Sequence, residues 1–374
     1  MRECDREGES GRPIGVGIVG FGSIGQVHAV ALEQCPAARV VAVARRHRDE
    51  AVAARFPRVA WYTDYRALLR RDDIAVVAIC TPNGDHAKQT LDALAAGKHV
   101  VVEKPLALSL ADGERVVDEA RTRGRLLAVM SQRRLEPQNR YLKALLDAGT
   151  LGTPVLGEAL VRWYRDRRYY DSAPWRGSRA LDGGVLPNQA IHAIDLLRWF
   201  LGPVESVTGF AASRARYTEA ADTGVAALRF ASGALGVIAA TAVAPPGLPA
   251  EVNLFFARGQ VAIHDAAVAR WEVPDVPPPP GEAVGSGRSD PAAIGILGHL
   301  RQWRDILAAL RERRDPLVTG VDGLATLAVI LAIEESDRTG QLVHLHQSRR
   351  ERLTSRFGGT PHGREHGNAR GSLA

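Results

Sequence analysis

Cysteine is scarce in this chain: Cys4, Cys35 and Cys80 are the three among 374 residues. An odd number at wide spacing supplies neither a disulfide framework nor a zinc site, and it suits a reducing compartment. Long apolar runs are missing too. No stretch approaches the roughly 20 residues that a membrane-spanning helix needs. The segment Met1–Arg12 is polar and charged and has no apolar core of the kind that marks a secretory leader. These absences lead to the expectation of a cytoplasmic protein with no membrane partner. No internal repeat is visible. An excess of acid is lacking as well: the net charge is +6, which raises the question of nucleic acid. The location of the charge argues against it. Residues 346–374 hold six arginines against Glu351 and Glu365, so this segment contributes +4 of the +6. It is rich in Gly, Ser and His without hydrophobic period, and reads as a disordered basic tail, not a specific nucleic-acid surface.

The length exceeds what one core usually organises. The pattern expects a tail over 1–12, a dinucleotide-binding domain over 13–131, a substrate-binding and oligomerisation domain over 132–345, and the tail over 346–374. In the first domain, short apolar strands alternate with helical patterns: 14–19, 39–44, 74–80, 100–102 and 126–130 are the main strands. That alternation is the signature of a doubly wound parallel sheet, an α/β fold. In the second domain, long strand-like runs follow one another without helices, at 155–164, 204–212, 223–230, 234–243, 251–256 and 261–264. A largely antiparallel, open sheet in an α+β domain is expected there. Ser232-Gly233 reads as a hairpin turn. Residues 274–291, rich in Pro and Gly, read as a mobile loop, and helices are expected over 292–312 and 321–338. An open, half-apolar sheet face tends to be covered, so a homodimer or homotetramer is expected.

The first strand runs into Gly20-Phe21-Gly22-Ser23-Ile24-Gly25 and then a helix. Gly20 permits the tight turn, Gly22 lets a pyrophosphate approach the backbone, and Gly25 lets helix and strand pack closely. The helix N-terminus offers N–H groups to the phosphates. The second strand ends in Ala44-Arg45-Arg46-His47-Arg48, without the carboxylate that binds the ribose 2′-hydroxyl of NAD. Arg45 and Arg46 would suit a 2′-phosphate, so NADP is the expected cofactor, with NAD possible. A buried strand at Val100–Val102 then ends in Glu103-Lys104-Pro105, where proline must stop the ladder. Lys104 thereby stands at a strand carboxyl end, where open parallel sheets bind ligands. Farther on, Asn188, His192 and Asp195 fall at i, i+4 and i+7, which on a helix is one face.

With these stretches in view, the chain resembles the glucose-fructose oxidoreductase, inositol dehydrogenase and MocA family over roughly residues 14–345. The resemblance rests on the glycine fingerprint with His28, on Thr81-Pro82-Asn83 with His86, on Gly97 to Leu106, and on Gly183-Gly184 through His192 and Asp195. It implies hydride transfer between a nicotinamide cofactor and a hydroxyl or ketone of a sugar, sugar derivative or cyclitol. It implies that Lys104 handles the proton, that His192 lies beside the substrate hydroxyl, and that Trp175 and Arg176 stand near nicotinamide or substrate. Asn188, Gln189 and Asp195 would orient the substrate or His192, Thr81, Pro82, Asn83, His86, Glu103 and Lys104 would contact the cofactor, and Glu103 would also fix the strand end. One departure matters: many members carry Asp where this chain has Asn188, and an amide cannot relay a proton at neutral pH. Two other functions belong to the same resemblance, an NAD-dependent glycoside hydrolase and a non-catalytic cofactor sensor. Lys104 and His192 argue against the sensor. No metal site is expected.

Overall fold

The computed structural model of the chain describes residues 12–215, 217–279 and 295–345. The expected tails, from 1 to 11 and from 346 to 374, and residues 280–291 of the Pro- and Gly-rich segment lie outside them. The first half runs β1 (Ile14–Val19), α1 (Ser23–Glu33), β2 (Ala38–Ala44), α2 (Glu50–Arg55), β3 (Ala60–Tyr62), α3 (Tyr65–Leu69), β4 (Val76–Ile79), α4 (His86–Ala95), β5 (His99–Val102), α5 (Leu110–Thr122) and β6 (Leu127–Val129). Its six strands are parallel, in the order β3-β2-β1-β4-β5-β6. β4 and the Val100–Val102 part of β5 are fully buried, which is why both read as unbroken β-branched and Ala runs instead of alternating patterns. The order reverses between β1 and β4. Their outgoing loops diverge there and leave a crevice beyond the strand carboxyl ends.

The second half holds α6 (Pro137–Asp147), β7 (Pro154–Arg162), α7 (Arg167–Asp171), α8 (Ile191–Leu201), β8 (Val204–Ala212), β9 (Thr223–Phe230), β10 (Leu235–Thr241), β11 (Glu251–Phe256), β12 (Gly259–His264), β13 (Ala267–Glu272), α9 (Leu297–Glu312), α10 (Gly320–Thr339) and β14 (Val343–His344). The strands form one sheet in the order β13-β12-β11-β7-β10-β9-β8-β14. It is mixed: β7 and β10 pair in parallel, and every other pair is antiparallel. The expected hairpin is present, with Gly233 at φ +85° between β9 and β10. Strands β13 and β14 and helix α7 were not foreseen from the sequence; β13 has no fully buried residue and hence no burial period to read.

One face of this sheet is covered by α8 and by the second half of α10, whose Ile194, Leu197, Ile330 and Ile333 are buried in its core. The other face leaves Phe210, Val225, Leu235 and Val237 exposed. The last strand of the first sheet ends at Val129 and the first strand of the second begins at Pro154, and the last helices cross back to the first sheet. Trp303, Ile306 and Leu307 of α9 share a core with Val16, Ile18 and Val101 of the first sheet. Leu324 and Leu327 of α10 join Val100 and Val116 beneath the same sheet.

Candidate active site

The crevice at the β1–β4 switch widens into a cleft of about 1500 Å³ that runs from Gly20 and Gly22 to Arg176 and His192. A single small-molecule pocket is typically about 300–1,000 Å³, so the cleft has room for a dinucleotide and a second ligand. Its first end is glycine-built. Gly20 has φ +89°, and a Cβ there would stand 2.6 Å from the Cys80 carbonyl. Gly25 lets α1 approach β1, since its Cβ would lie 2.2 Å from the Gly20 oxygen. Gly22 is different: a Cβ there meets nothing within 4 Å, and as N-cap of α1 it offers no capping side chain. An open backbone at an uncapped helix N-terminus is what a diphosphate requires. Phe21 is fully buried and Ser23 and Ile24 line the cleft, so the fingerprint residues fit a dinucleotide.

Near this glycine turn, Arg45 and Arg46 also line the cleft. Arg45 is 3.4 Å from Asp49, and Arg46 is 3.8 Å from Asp85. Thr81 and Pro82 also line the cleft. Asn83 is buried and donates to the Asp182 carbonyl at 2.7 Å. The reading of His86 as a cofactor ligand needs correcting. Both its ring nitrogens face backbone carbonyls, of Pro105 at 2.7 Å and Thr81 at 2.8 Å, and burial lowers its pKa. Its work is to brace the two loops that follow β4 and β5.

The corner after β5 is the most heavily built part of the site. Glu103 is buried, and its Oε1 accepts from His28 Nε2 at 2.9 Å and His299 Nε2 at 3.3 Å. Its Oε2 accepts from the Lys104 amide at 3.3 Å. Despite the cost of burial, these bonds hold Glu103 well below the usual carboxylate range. His28, Glu103 and His299 lie close enough to cage a cation, and both ring nitrogens of His28 are committed to protein partners. Trp303 Nε1 donates to His28 Nδ1 at 3.1 Å, which places the His28 proton on Nε2, facing Glu103. Glu103 is thus anchored at the strand end, and Lys104, next in the chain, is joined to Pro105 by a cis bond.

Lys104 Nζ donates to the Asn188 carbonyl at 2.7 Å and stands 3.4 Å from Asn188 Oδ1. The Asn188 amide donates to Asp182 Oδ1 at 2.9 Å, so its oxygen is turned to the lysine. Asp182 also accepts from the amides of Gly177 and Gly184. Burial raises its pKa, and these bonds and Lys104 oppose the rise. For Lys104, burial lowers the pKa, with Arg176 adding to the fall and Glu103 and Asp182 resisting it. His192 is pushed well down by burial and by the charges of Lys104 and Arg133, so it is neutral; its Nδ1 makes no hydrogen bond.

The helical-face expectation holds in part. Residues Leu186–Ala190 form a π-helical turn ahead of α8, and Asn188, Gln189 and His192 line the cleft with Lys104. Asp195 does not join them, which corrects its reading as a substrate-binding residue. It is buried behind α8, where Arg134 grips both oxygens at 2.6 and 2.7 Å and Thr326 donates at 2.7 Å. The wider turn breaks the simple spacing of seven. Trp175 and Arg176 line the cleft as expected. Sequence reasoning missed Asp182, His299 and the group Arg133, Trp163, Arg165 and Tyr169, all of which join this site. Arg133 and Arg165 each follow a strand carboxyl end, and that was the available signal. His299 had none, because it arrives from α9.

A family model described as "Oxidoreductase family, NAD-binding Rossmann fold" matches residues 14–131, and the GFO/IDH/MocA C-terminal domain matches residues 139–262. Myo-inositol 2-dehydrogenase of Thermotoga maritima is 29% identical over 349 residues, 89% of this chain and 98% of that protein. The scyllo-inositol 2-dehydrogenase (NAD(+)) of Bacillus subtilis is 26% identical over 352 residues, 89% of this chain and 96% of that protein. Among solved structures, the WlbA dehydrogenase of Bordetella pertussis, in complex with NADH and UDP-GlcNAcA, aligns with a TM-score of 0.80 at 32% identity, covering 90% of this chain and 99% of that one.

Proposed function

The chain belongs to the GFO/IDH/MocA family of NAD-binding oxidoreductases, and from that membership we propose that it moves a hydride between a nicotinamide dinucleotide and a CH–OH or ketone carbon of a sugar, sugar derivative or cyclitol, with Lys104 as acid and base. The observation that carries the reading is the placement of Lys104: beyond the buried strand β5, in the same cleft as the glycine cradle, with Nζ held by Asn188 and neutral His192 beside it.

Gly20 and Gly22 with the start of α1 hold the diphosphate, Gly25 lets that helix pack against β1, and Thr81 and Pro82 border the path to the reacting end. The bound nicotinamide supplies the hydride chemistry; the protein supplies position and one proton. In oxidation, neutral Lys104 takes the hydroxyl proton while His192 accepts a hydrogen bond from the substrate. In reduction, protonated Lys104 returns it to the developing alkoxide. Asn188 steadies Nζ through its backbone carbonyl and its Oδ1, both acceptors for the N–H groups that the amine keeps in either form. Replacing Lys104 with Ala should lower kcat by roughly 100-fold or more, the scale of general acid–base catalysis, while cofactor affinity changes little. Turnover near that of the wild type would remove Lys104 from this role.

The finer cofactor preference is for NADP. Support comes from Arg45 and Arg46 lining the adenosine end with no carboxylate between Ala44 and Arg48. One well-formed guanidinium–phosphate bond is worth about tenfold, and Asp49 beside Arg45 trims that gain. Dissociation constants for NAD and NADP measure it directly, and Arg45→Asp should reverse the order. Tighter binding of NAD to the wild type would overturn the preference. The exposed face carrying Phe210 and Val225, cross-strand neighbours on β8 and β9, supports a homo-oligomer formed through this sheet.

A further inference from the structure

The substrate end of the cleft is built from cations and rings. Arg133 follows β6, Arg165 follows β7, and Arg176 lies in the loop after α7; all three line the cleft with Lys104. The Arg176 guanidinium stacks 4.1 Å from the Tyr169 ring centroid and 4.8 Å from that of Trp175. The Arg165 guanidinium lies 5.0 Å from Trp163 and 5.2 Å from Tyr169. Stacking holds a guanidinium by its faces and leaves the N–H edges for planar acceptors.

Among the described residues, neither Arg133 nor Arg176 has a carboxylate within ion-pair reach. Arg133 donates to the carbonyl of Asp265 at 2.6 Å, and the buried Nε of Arg176 makes no hydrogen bond. The carboxylates that line the same end are engaged elsewhere: Glu103 with its two histidines, and Glu136 with Gln138 and Asn139. Like charges therefore face one another. Burial lowers the pKa of Lys104, Arg165 and His192, and neighbouring cations add to the fall: Arg176 at Lys104 and Arg165, and Lys104 and Arg133 at His192. Gathering cations in a partly dehydrated cleft is unfavourable unless an anion is brought to them.

We propose that the substrate is a sugar carrying an acidic group, and that Arg176, with Arg133, binds that group at its guanidinium edges while the reacting hydroxyl lies at Lys104. This rests on the reading of the cleft as the site of sugar-type hydroxyl oxidation. Two sources share the chemistry of an oxyanion with parallel acceptors: a ring carboxylate, as in a uronic acid, and a phosphoryl ester.

The test uses the full-length protein with NAD or NADP and matched sugars: glucuronate against glucose, galacturonate against galactose, and glucose 6-phosphate and UDP-glucose as phosphoryl compounds. The expected result is a preference of at least tenfold in kcat/KM for an acidic member over its neutral parent, carried mainly by KM and weakened by added salt. Preference for the uronates identifies the carboxylate as the source; preference for the phosphoryl compounds identifies phosphate. Arg176→Gln and Arg133→Gln should each raise KM for the acidic substrate at least tenfold more than they raise KM for its neutral parent, with Arg176→Lys intermediate. Equal use of acidic and neutral sugars, or an unchanged ratio in both Gln variants, would overturn the proposal while leaving sugar oxidation intact. If no sugar is turned over, the oxidation reading is the one that fails. Calorimetric binding of glucuronate and of inorganic phosphate, to wild type and to both Gln variants, then decides the anion question alone: binding lost in the variants upholds it, and no binding or unaltered binding rejects it.

Discussion

Among single residues, Asp182 changes the picture most. The family comparison in the sequence places an amide, Asn188, where a carboxylate is usual, and this casts doubt on a proton relay. The folded chain brings a carboxylate back by another route. Asp182, buried under the glycine pair Gly183-Gly184, orients Asn188 and adds a negative charge that resists the fall of the Lys104 pKa. The sign of its removal follows. Asp182→Asn takes away that charge, so the Lys104 pKa should fall further and the neutral, proton-accepting form should appear at lower pH. The pH profile of kcat/KM in the oxidation direction should shift to the acid side, with kcat reduced because Asn188 is less firmly turned. Measured profiles of wild type and variant check this; a shift to the alkaline side would contradict it. Nothing in the local sequence marks Asp182, since its partners come from loops and helices brought together by folding. Lys104 was legible because strand, charge and proline stand side by side. Asp195 was misread because a spacing of seven was taken as one α-helical face, while the chain takes a wider turn first.

At the scale of elements, the glycine turn and α1 separate two uses of one residue type. Gly25 serves packing: any Cβ there overlaps the Gly20 backbone oxygen at 2.2 Å, and backbone cannot swing aside. Gly22 serves the ligand: its φ of −83° suits any residue, and no protein atom lies within 4 Å of the added carbon. Gly25→Ala should therefore cost about 1–3 kcal/mol of stability, the range for overpacking, and also weaken cofactor binding. Gly22→Ala should leave the melting temperature nearly unchanged and weaken cofactor binding alone. Thermal melts paired with cofactor titrations distinguish the two; equal loss of stability in both would show that the cradle is not divided this way. The elements of the first sheet were readable because buried parallel strands need unbroken apolar runs. The π-helical turn was not, because its geometry depends on what the following helix packs against. Around that helix, Asp195 and Arg198 of α8 form ion pairs with Arg134, which precedes α6, and with Asp322 of α10, and both partners lie far from α8 in sequence.

For the whole molecule, α9 and α10 decide how the two sheets behave together. Trp303 is fully buried in the core of the first sheet and also orients His28. α10 contributes to the cores of both sheets at once. Unfolding should therefore be a single transition by fluorescence, circular dichroism and calorimetry. Trp303→Ala should destabilise the protein by about 3–5 kcal/mol and lower the affinity for cofactor, because the histidine behind Glu103 loses its orientation. Two separate transitions in the wild type would show that the sheets melt independently. The broad division into two sheets could be read from the change in strand and helix rhythm near residue 131, but the return of the last helices could not, since an amphipathic helix does not announce which sheet it will cover. That return has a consequence for the order of events on the ribosome. Trp303 is translated 174 residues after the last strand of the first sheet ends at Val129. At roughly 5–20 residues per second, the nascent first sheet waits about 10 to 30 seconds with the seat of α9 bare. Until then the oldest part of the chain is the least finished, and the apolar groove around Val16 and Ile18 is where chaperones would find it.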